Sequence, residues 1–134
     1  MINQRSLITA LVVEDSTVMR EFIVASISTL PNIQPIQVAN GFEALKALPR
    51  QQVDIILTDI NMPDINGLEL LSFLKKHPDY CTIPVVIIST EKSEGDLNRG
   101  LALGADHYLM KPFAPHELQL IIRQLLKIDA AEPQ

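Results

Sequence analysis

The sequence predicts one α/β domain, a five-stranded parallel sheet covered by helices, and three observations predict it. Short runs rich in Val and Ile recur along the chain. Helical patterns, with apolar residues three or four apart, separate them. Three of the runs are apolar at consecutive rather than alternate positions, as expected for strands covered on both faces. Alternation of strand and helix implies parallel strands, right-handed crossovers and helices on both sides of the sheet. At 134 residues and 47% hydrophobic, the chain is long enough for one core and short for two.

The first run, "LITALVV" at 7–13, ends in Glu14 and Asp15. It has no basic flank beyond Arg5 and no small-residue cleavage site, so it reads as a strand rather than a secretion signal. Ser16 or Thr17 can cap the next helix, whose apolar positions Met19, Phe22, Ile23, Ile27 and Leu30 form one stripe ending before Pro31. The second strand is "IQPIQVA", 33–39. Asn40 and Gly41 then turn the chain into a shorter helix with Phe42, Leu45 and Leu48, stopped at Pro49.

"VDIILT", 53–58, is the third strand and runs into Asp59. Gly67 opens a helix with Leu70, Leu71, Phe73 and Leu74, ended by His77 and Pro78. "IPVVIIS", 83–89, is the fourth strand. The helix after it, about 93–103, contains Gly95 and Gly100 and has a thin apolar face. Each glycine costs on the order of 1 kcal/mol against alanine, so this helix is expected to be the loosest element. "DHYLM", 106–110, is the fifth strand, and Pro115 starts a last helix with Leu118, Ile121, Ile122, Leu125 and Leu126 on one stripe. The domain is expected over 6–128, with short flexible ends at 1–5 and 129–134.

Composition narrows the function classes. The formal charge is −5 and the Lys and Arg are scattered, which argues against direct binding of nucleic acid through phosphate contacts. Cys81 is the only cysteine, excluding an internal disulfide and a cysteine-based zinc site. Nothing approaches the roughly 18 apolar residues of a membrane span. A soluble, cytoplasmic protein is expected.

In a sheet of parallel strands every strand-to-helix loop leaves from one edge, and ligands bind there. Glu14, Asp15, Asp59, Ser89, Thr90 and Lys111 all fall on it. Taken singly, each has an ordinary reading: a turn, a helix cap, a solvated lysine. Together, three carboxylates repel unless a cation sits among them, and a hard ion such as Mg²⁺ takes oxygen ligands while keeping waters. Phosphoryl oxygens can fill the remaining metal positions, with Lys111 and Ser89 supplying a charge and a donor. Asp59, alone on the middle strand, is the expected nucleophile, forming an acyl phosphate.

The blocks "LVVEDSTVMR", "ANGFEAL", "DIILTDINMPDINGLELL", "IPVVIIST" and "GADHYLMKPF" resemble, in order and spacing, the motifs of response-regulator receiver domains, the CheY-like family. That resemblance implies a flavodoxin-like doubly wound sheet, (βα)5, with strand order 2-1-3-4-5, an order for which the chemotaxis member of the family is itself a standard example. It also implies that Asp59 accepts a phosphoryl group from the phosphohistidine of a sensor histidine kinase or phosphotransfer protein. Asp15, Asp59 and the Asn61 backbone carbonyl would bind Mg²⁺, with Glu14 acting through water. Ser89 and Tyr108 would be the switch residues, Lys111 would face the site beside a cis bond to Pro112, and Asn61 and Glu91 would tune dephosphorylation.

Asn61 with Glu91 resembles the pair of the chemotaxis type, for which the acyl phosphate is short-lived. Two departures are Glu14, where Asp is commoner, and Thr90, where the family often has Ala or Gly and whose branched side chain would narrow access. Output is expected through a downstream target protein on the face of the fourth helix, fifth strand and fifth helix, in chemotaxis or motility, from a monomer or weak dimer. The chain would catalyse only its own phosphorylation and dephosphorylation. A haloacid-dehalogenase-type phosphatase would carry D-x-D after strand one, and a flavodoxin-type cofactor binder a Ser, Thr and Gly-rich loop there. "EDSTVM" is neither. A receiver that only binds would not need Asp59, Ser89 and Lys111 together.

Overall fold

Five parallel strands, β1 (Ile8–Val13), β2 (Ile33–Val38), β3 (Ile55–Thr58), β4 (Val85–Ser89) and β5 (His107–Met110), lie in the order β2-β1-β3-β4-β5. The computed structural model describes residues 7–90 and 94–128. Between the strands run α1 (Thr17–Ile27), α2 (Gly41–Ala47), α3 (Gly67–Lys76), α4 (Glu94–Ala102) and α5 (Pro115–Leu126). The predicted fold and strand order are those observed. The expected flexible ends, Glu91 and the start of the fourth helix at 93 lie outside the described residues.

The consecutive apolar residues bury two cores, one per face of the sheet. Leu11, Val13, Ile56, Val85 and Ile87 pack with Ala44, Leu71 and Leu74 from α2 and α3. Ala10, Val12, Ile55, Leu57, Val86 and Ile88 pack with Ile23 and Ile27 of α1 and Leu118 and Ile122 of α5. Every residue of β1, β3 and β4 is buried, which fixes where the strands end and so where their carboxyl-edge residues stand.

The caps set the helix starts. Ser16, not Thr17, caps α1, its hydroxyl accepting from Met19 N. Asn40 caps α2, and Asn66 with Glu69 forms a reciprocal capping box on α3. Three expectations change. The first helix stops at Ile27 rather than running toward Pro31. Pro31 disfavours helical backbone at Leu30, the Ser28 hydroxyl bonds the Val24 carbonyl, and Asn32 turns the chain with φ 60. After α2, Leu48–Arg50 tightens into a 3-10 turn containing Pro49. Phe22, Phe42 and Phe73, assigned to apolar stripes, are exposed: on α2 and α3, Ala44, Ala47 and the leucines fill the faces toward the sheet, and on α1 Ile23 and Ile27 do so while the Phe22 ring rests against Phe113 at the rim.

Among the described residues, strand β2 is an open edge of the sheet. Ile8 N donates to Asn32 O, and Glu14 N donates to Val38 O. The backbone groups of even-numbered β2 residues thus face β1, and those of odd-numbered ones, Pro35 among them, face outward. No helix among the described residues is long and apolar enough to cross a membrane.

Candidate functional site

Asp59 is the first residue beyond β3, and it is buried although charged. Its N–H still pairs with the Val13 carbonyl of β1, so its backbone is held as strand while its side chain leaves the sheet. One carboxylate oxygen, Oδ1, accepts from Ile60 N at 2.7 Å. The other, Oδ2, lies 3.2 Å from Lys111 Nζ. Glu14, the first residue after β1, is 1% exposed. It accepts from Lys111 Nζ at 2.9 Å through Oε1 and from Ser16 N at 3.1 Å through Oε2. One ammonium therefore bridges two buried carboxylates from different strands, a pairing that offsets part of the cost of burying them.

That compensation is incomplete at Glu14. Burial pushes its carboxyl above the ordinary glutamate range, and the Asp59 charge adds to the rise. The hydrogen bond and charge of Lys111 and the Ser16 N–H oppose it. A further cation near these oxygens would be favoured for the same reason. Asp15, next in the chain, is exposed, and carboxylate oxygens of Glu14, Asp15 and Asp59 all lie within 4.8 Å of one another. Three hard oxygen donors at that spacing fit a divalent ion of the Mg²⁺ class.

Ser89 ends β4 fully buried, and its carbonyl accepts from Lys111 N at 3.0 Å. That bond starts the turn carrying Lys111, whose peptide to Pro112 is cis. Tyr108, in β5, is half-buried against the core beneath α4. Asn61 and Thr90 are exposed next to the site residues Ile60 and Ser89. Glu14, Asp15, Asp59 and Lys111 thus come together as expected. The Glu14 carboxylate is engaged directly by Lys111 and Ser16. A cavity of about 570 Å³ opens at the opposite edge of the sheet, between Gln51, Asp54 and Tyr80, and none of the acidic residues of the site lines it.

Three supports escaped the sequence reading. Gly67 N donates to Ile60 O at 2.8 Å, and a Cβ at Gly67 would stand 2.0 Å from the Asp59 carbonyl oxygen. The Thr58 hydroxyl donates to that carbonyl at 3.0 Å. Arg20 Nη1 donates to the Glu14 carbonyl at 2.7 Å. All three act on backbone carbonyls, which carry no sequence signal; only the position of Gly67 at the start of a helix hinted at a special residue.

Comparison with known proteins gives a consistent result. The family described as "Response regulator receiver domain" matches residues 10–123. A chemotaxis protein CheY homolog of Campylobacter jejuni is 31% identical over 123 residues, covering 91% of this chain and 95% of its own. The chemotaxis protein CheY4 of Vibrio cholerae superposes with a TM-score of 0.83 at 28% identity, covering 90% of this chain and all of that one. The receiver domain of the Pseudomonas aeruginosa sensor histidine kinase PA1611, solved with a magnesium ion coordinated in its active-site cleft, gives a TM-score of 0.82 at 28% identity. That match covers 91% of this chain and 99% of the other.

Proposed function

The chain belongs to the response regulator receiver family, a phosphoacceptor family of two-component signalling, and on that premise we propose that Asp59 accepts the phosphoryl group. The observation that carries this reading is the gathering of Glu14, Asp15 and Asp59 within 4.8 Å beside Lys111. In the proposed step an Asp59 carboxylate oxygen attacks the phosphorus of a phosphohistidine on a histidine kinase or phosphotransfer protein. The new P–O bond forms as the P–N bond breaks, and the histidine nitrogen leaves with the bonding pair.

Asp15, Asp59 and the Asn61 carbonyl would hold Mg²⁺, with Glu14 beside them; when bound, the ion neutralises charge on the phosphoryl oxygens. The chain's own residues do the rest. Lys111 already contacts both buried carboxylates and is placed to follow charge onto the phosphoryl group. Ile60 N–H fixes the rotation of the Asp59 carboxylate. Ser89 is proposed to bond the phosphoryl group and Tyr108 to turn inward with it, shifting the population of the α4, β5 and α5 face toward a form that binds a target protein. The CheY relatives favour a target in chemotaxis or motility.

The test is intact mass after incubation with Mg²⁺ and acetyl phosphate, for wild type and Asp59→Asn, with EDTA controls. A single phosphoryl adduct requiring both Mg²⁺ and Asp59 is expected. If no adduct forms and beryllofluoride also fails to bind, the phosphoacceptor reading is wrong for this chain. The adduct is expected to be short-lived, set by Asn61 and Glu91; one that persists for hours in Mg²⁺ would overturn that assignment.

A further inference from the structure

Every polar group of Glu14 is committed. Its N–H donates to Val38 O of β2 at 3.1 Å, and its carboxylate takes Lys111 and Ser16 N. Its carbonyl takes the Arg20 guanidinium at 2.7 Å, while Arg20 Nε reaches Gln37 Oε1 on β2 at 3.4 Å. Ser16 is anchored in turn, its N–H on Glu14 and its hydroxyl capping α1. Asp15 lies between these two tethered residues, and its own exposed carboxylate accepts no hydrogen bond among the described residues. Its direction is therefore set by the backbone on either side, and the Glu14 carbonyl is the group that orients the Glu14–Asp15 peptide.

From this we propose that Arg20 is a positioning residue for the acidic pair, fixing the Glu14–Asp15 peptide so that the Asp15 carboxylate stands ready beside Asp59 for a divalent cation. The inference rests on the reading of this cluster as a cation site. A charge-assisted bond to a carbonyl is among the stronger single hydrogen bonds, and it holds a loop that has just left the sheet. The alternative role for Arg20 is as a charge alone, and the two roles predict opposite signs. A cation near the site repels Mg²⁺, so removing its charge would tighten binding. Releasing the peptide weakens binding, because Asp15 must then be ordered at the cation's expense.

The experiment is calorimetric titration with Mg²⁺ of wild type, Arg20→Ala and Arg20→Lys, with Asp15→Asn as the control and a thermal melt of each. Arg20→Ala is expected to raise the Mg²⁺ Kd about fivefold or more, and Arg20→Lys, which keeps one donor and the charge, to stay within about twofold. At saturating Mg²⁺ the phosphorylation rate of Arg20→Ala should return to within about twofold of wild type, since Arg20 touches no reacting group. Equal or tighter Mg²⁺ binding by Arg20→Ala overturns the proposal. Should that variant melt below the assay temperature, Arg20→Gln is judged by the same criteria. Wild type that binds no Mg²⁺ defeats the cation reading itself, a result separate from a wild type that binds and an Arg20→Ala that binds equally well.

Discussion

The α-carbon of Gly67 packs directly against the peptide of Asp59: a Cβ at 67 would meet the Asp59 carbonyl oxygen at 2.0 Å and its carbon at 2.8 Å. The start of α3 is thereby pressed onto the backbone of the proposed phosphoacceptor. Neither atom of the Asp59 peptide is a flexible side-chain end that could swing aside. Gly67→Ala is expected to destabilise the protein by about 3 kcal/mol or more, at the upper end of overpacking effects, and to lower phosphorylation in the fraction that folds. Urea unfolding checks the first, and adduct formation the second. A loss under about 1 kcal/mol would mean that α3 can slide off the site.

Lys111 holds Glu14 and Asp59 at once. Lys111→Met keeps the apolar stem and removes the charge, leaving two buried carboxylates facing each other. The expected cost at neutral pH is about 3 kcal/mol, with phosphorylation reduced at least about tenfold. Because protonating Glu14 removes the repulsion, the stability gap to wild type should narrow as pH falls. A gap independent of pH would show that Lys111 acts through packing alone.

The raised Glu14 carboxyl makes a prediction of its own. Between the unfolded and the higher folded pKa the native state binds more protons than the unfolded one, so this group's contribution to stability falls as pH rises through that window. Glu14→Gln removes the ionisation. Without Mg²⁺, the variant should gain stability relative to wild type as pH rises from acid to neutral, and Mg²⁺ should protect it less than it protects wild type. Melting curves across the pH range with and without Mg²⁺ decide this; an unchanged pH profile would contradict it.

Gly100 is buried on α4, and a Cβ there would meet Leu68, Tyr108 and Ile87 at 3.7 to 4.0 Å, ordinary contact distances. Gly100→Ala should therefore stabilise α4 by about 1 kcal/mol through helix propensity. Hydrogen exchange should find α4 the least protected helix in wild type and slower to exchange in the variant. Protection of wild-type α4 equal to that of α3 or α5 would remove the basis for treating it as a loose element.

These residues also mark how far the sequence could be read. Nearly unbroken apolar runs such as "IILT" placed the strands, because burial on both faces leaves room for few polar residues, Thr9, Thr58 and Ser89 among them. The same runs, ending in Glu14, Asp15 and Asp59, put the carboxylates on one edge. Partners with no side-chain signature stayed hidden. Gly67 against Asp59 O and Arg20 on Glu14 O join particular side chains and α-carbons to carbonyls that every residue carries. Helical spacing likewise put Phe22, Phe42 and Phe73 on buried stripes, yet aliphatic side chains face the sheet, Phe42 and Phe73 lie outside, and Phe22 reaches only the rim beside Phe113.

Pro35 sits on the outward register of the open edge strand, where the chain would otherwise offer its central N–H to a newcomer. That missing donor interrupts the ladder a second chain would need to zip on beside β2. One imino acid thus makes this edge a poor template for strand addition, while the acidic residues stand apart from it, beyond the carboxyl ends of β1 and β3.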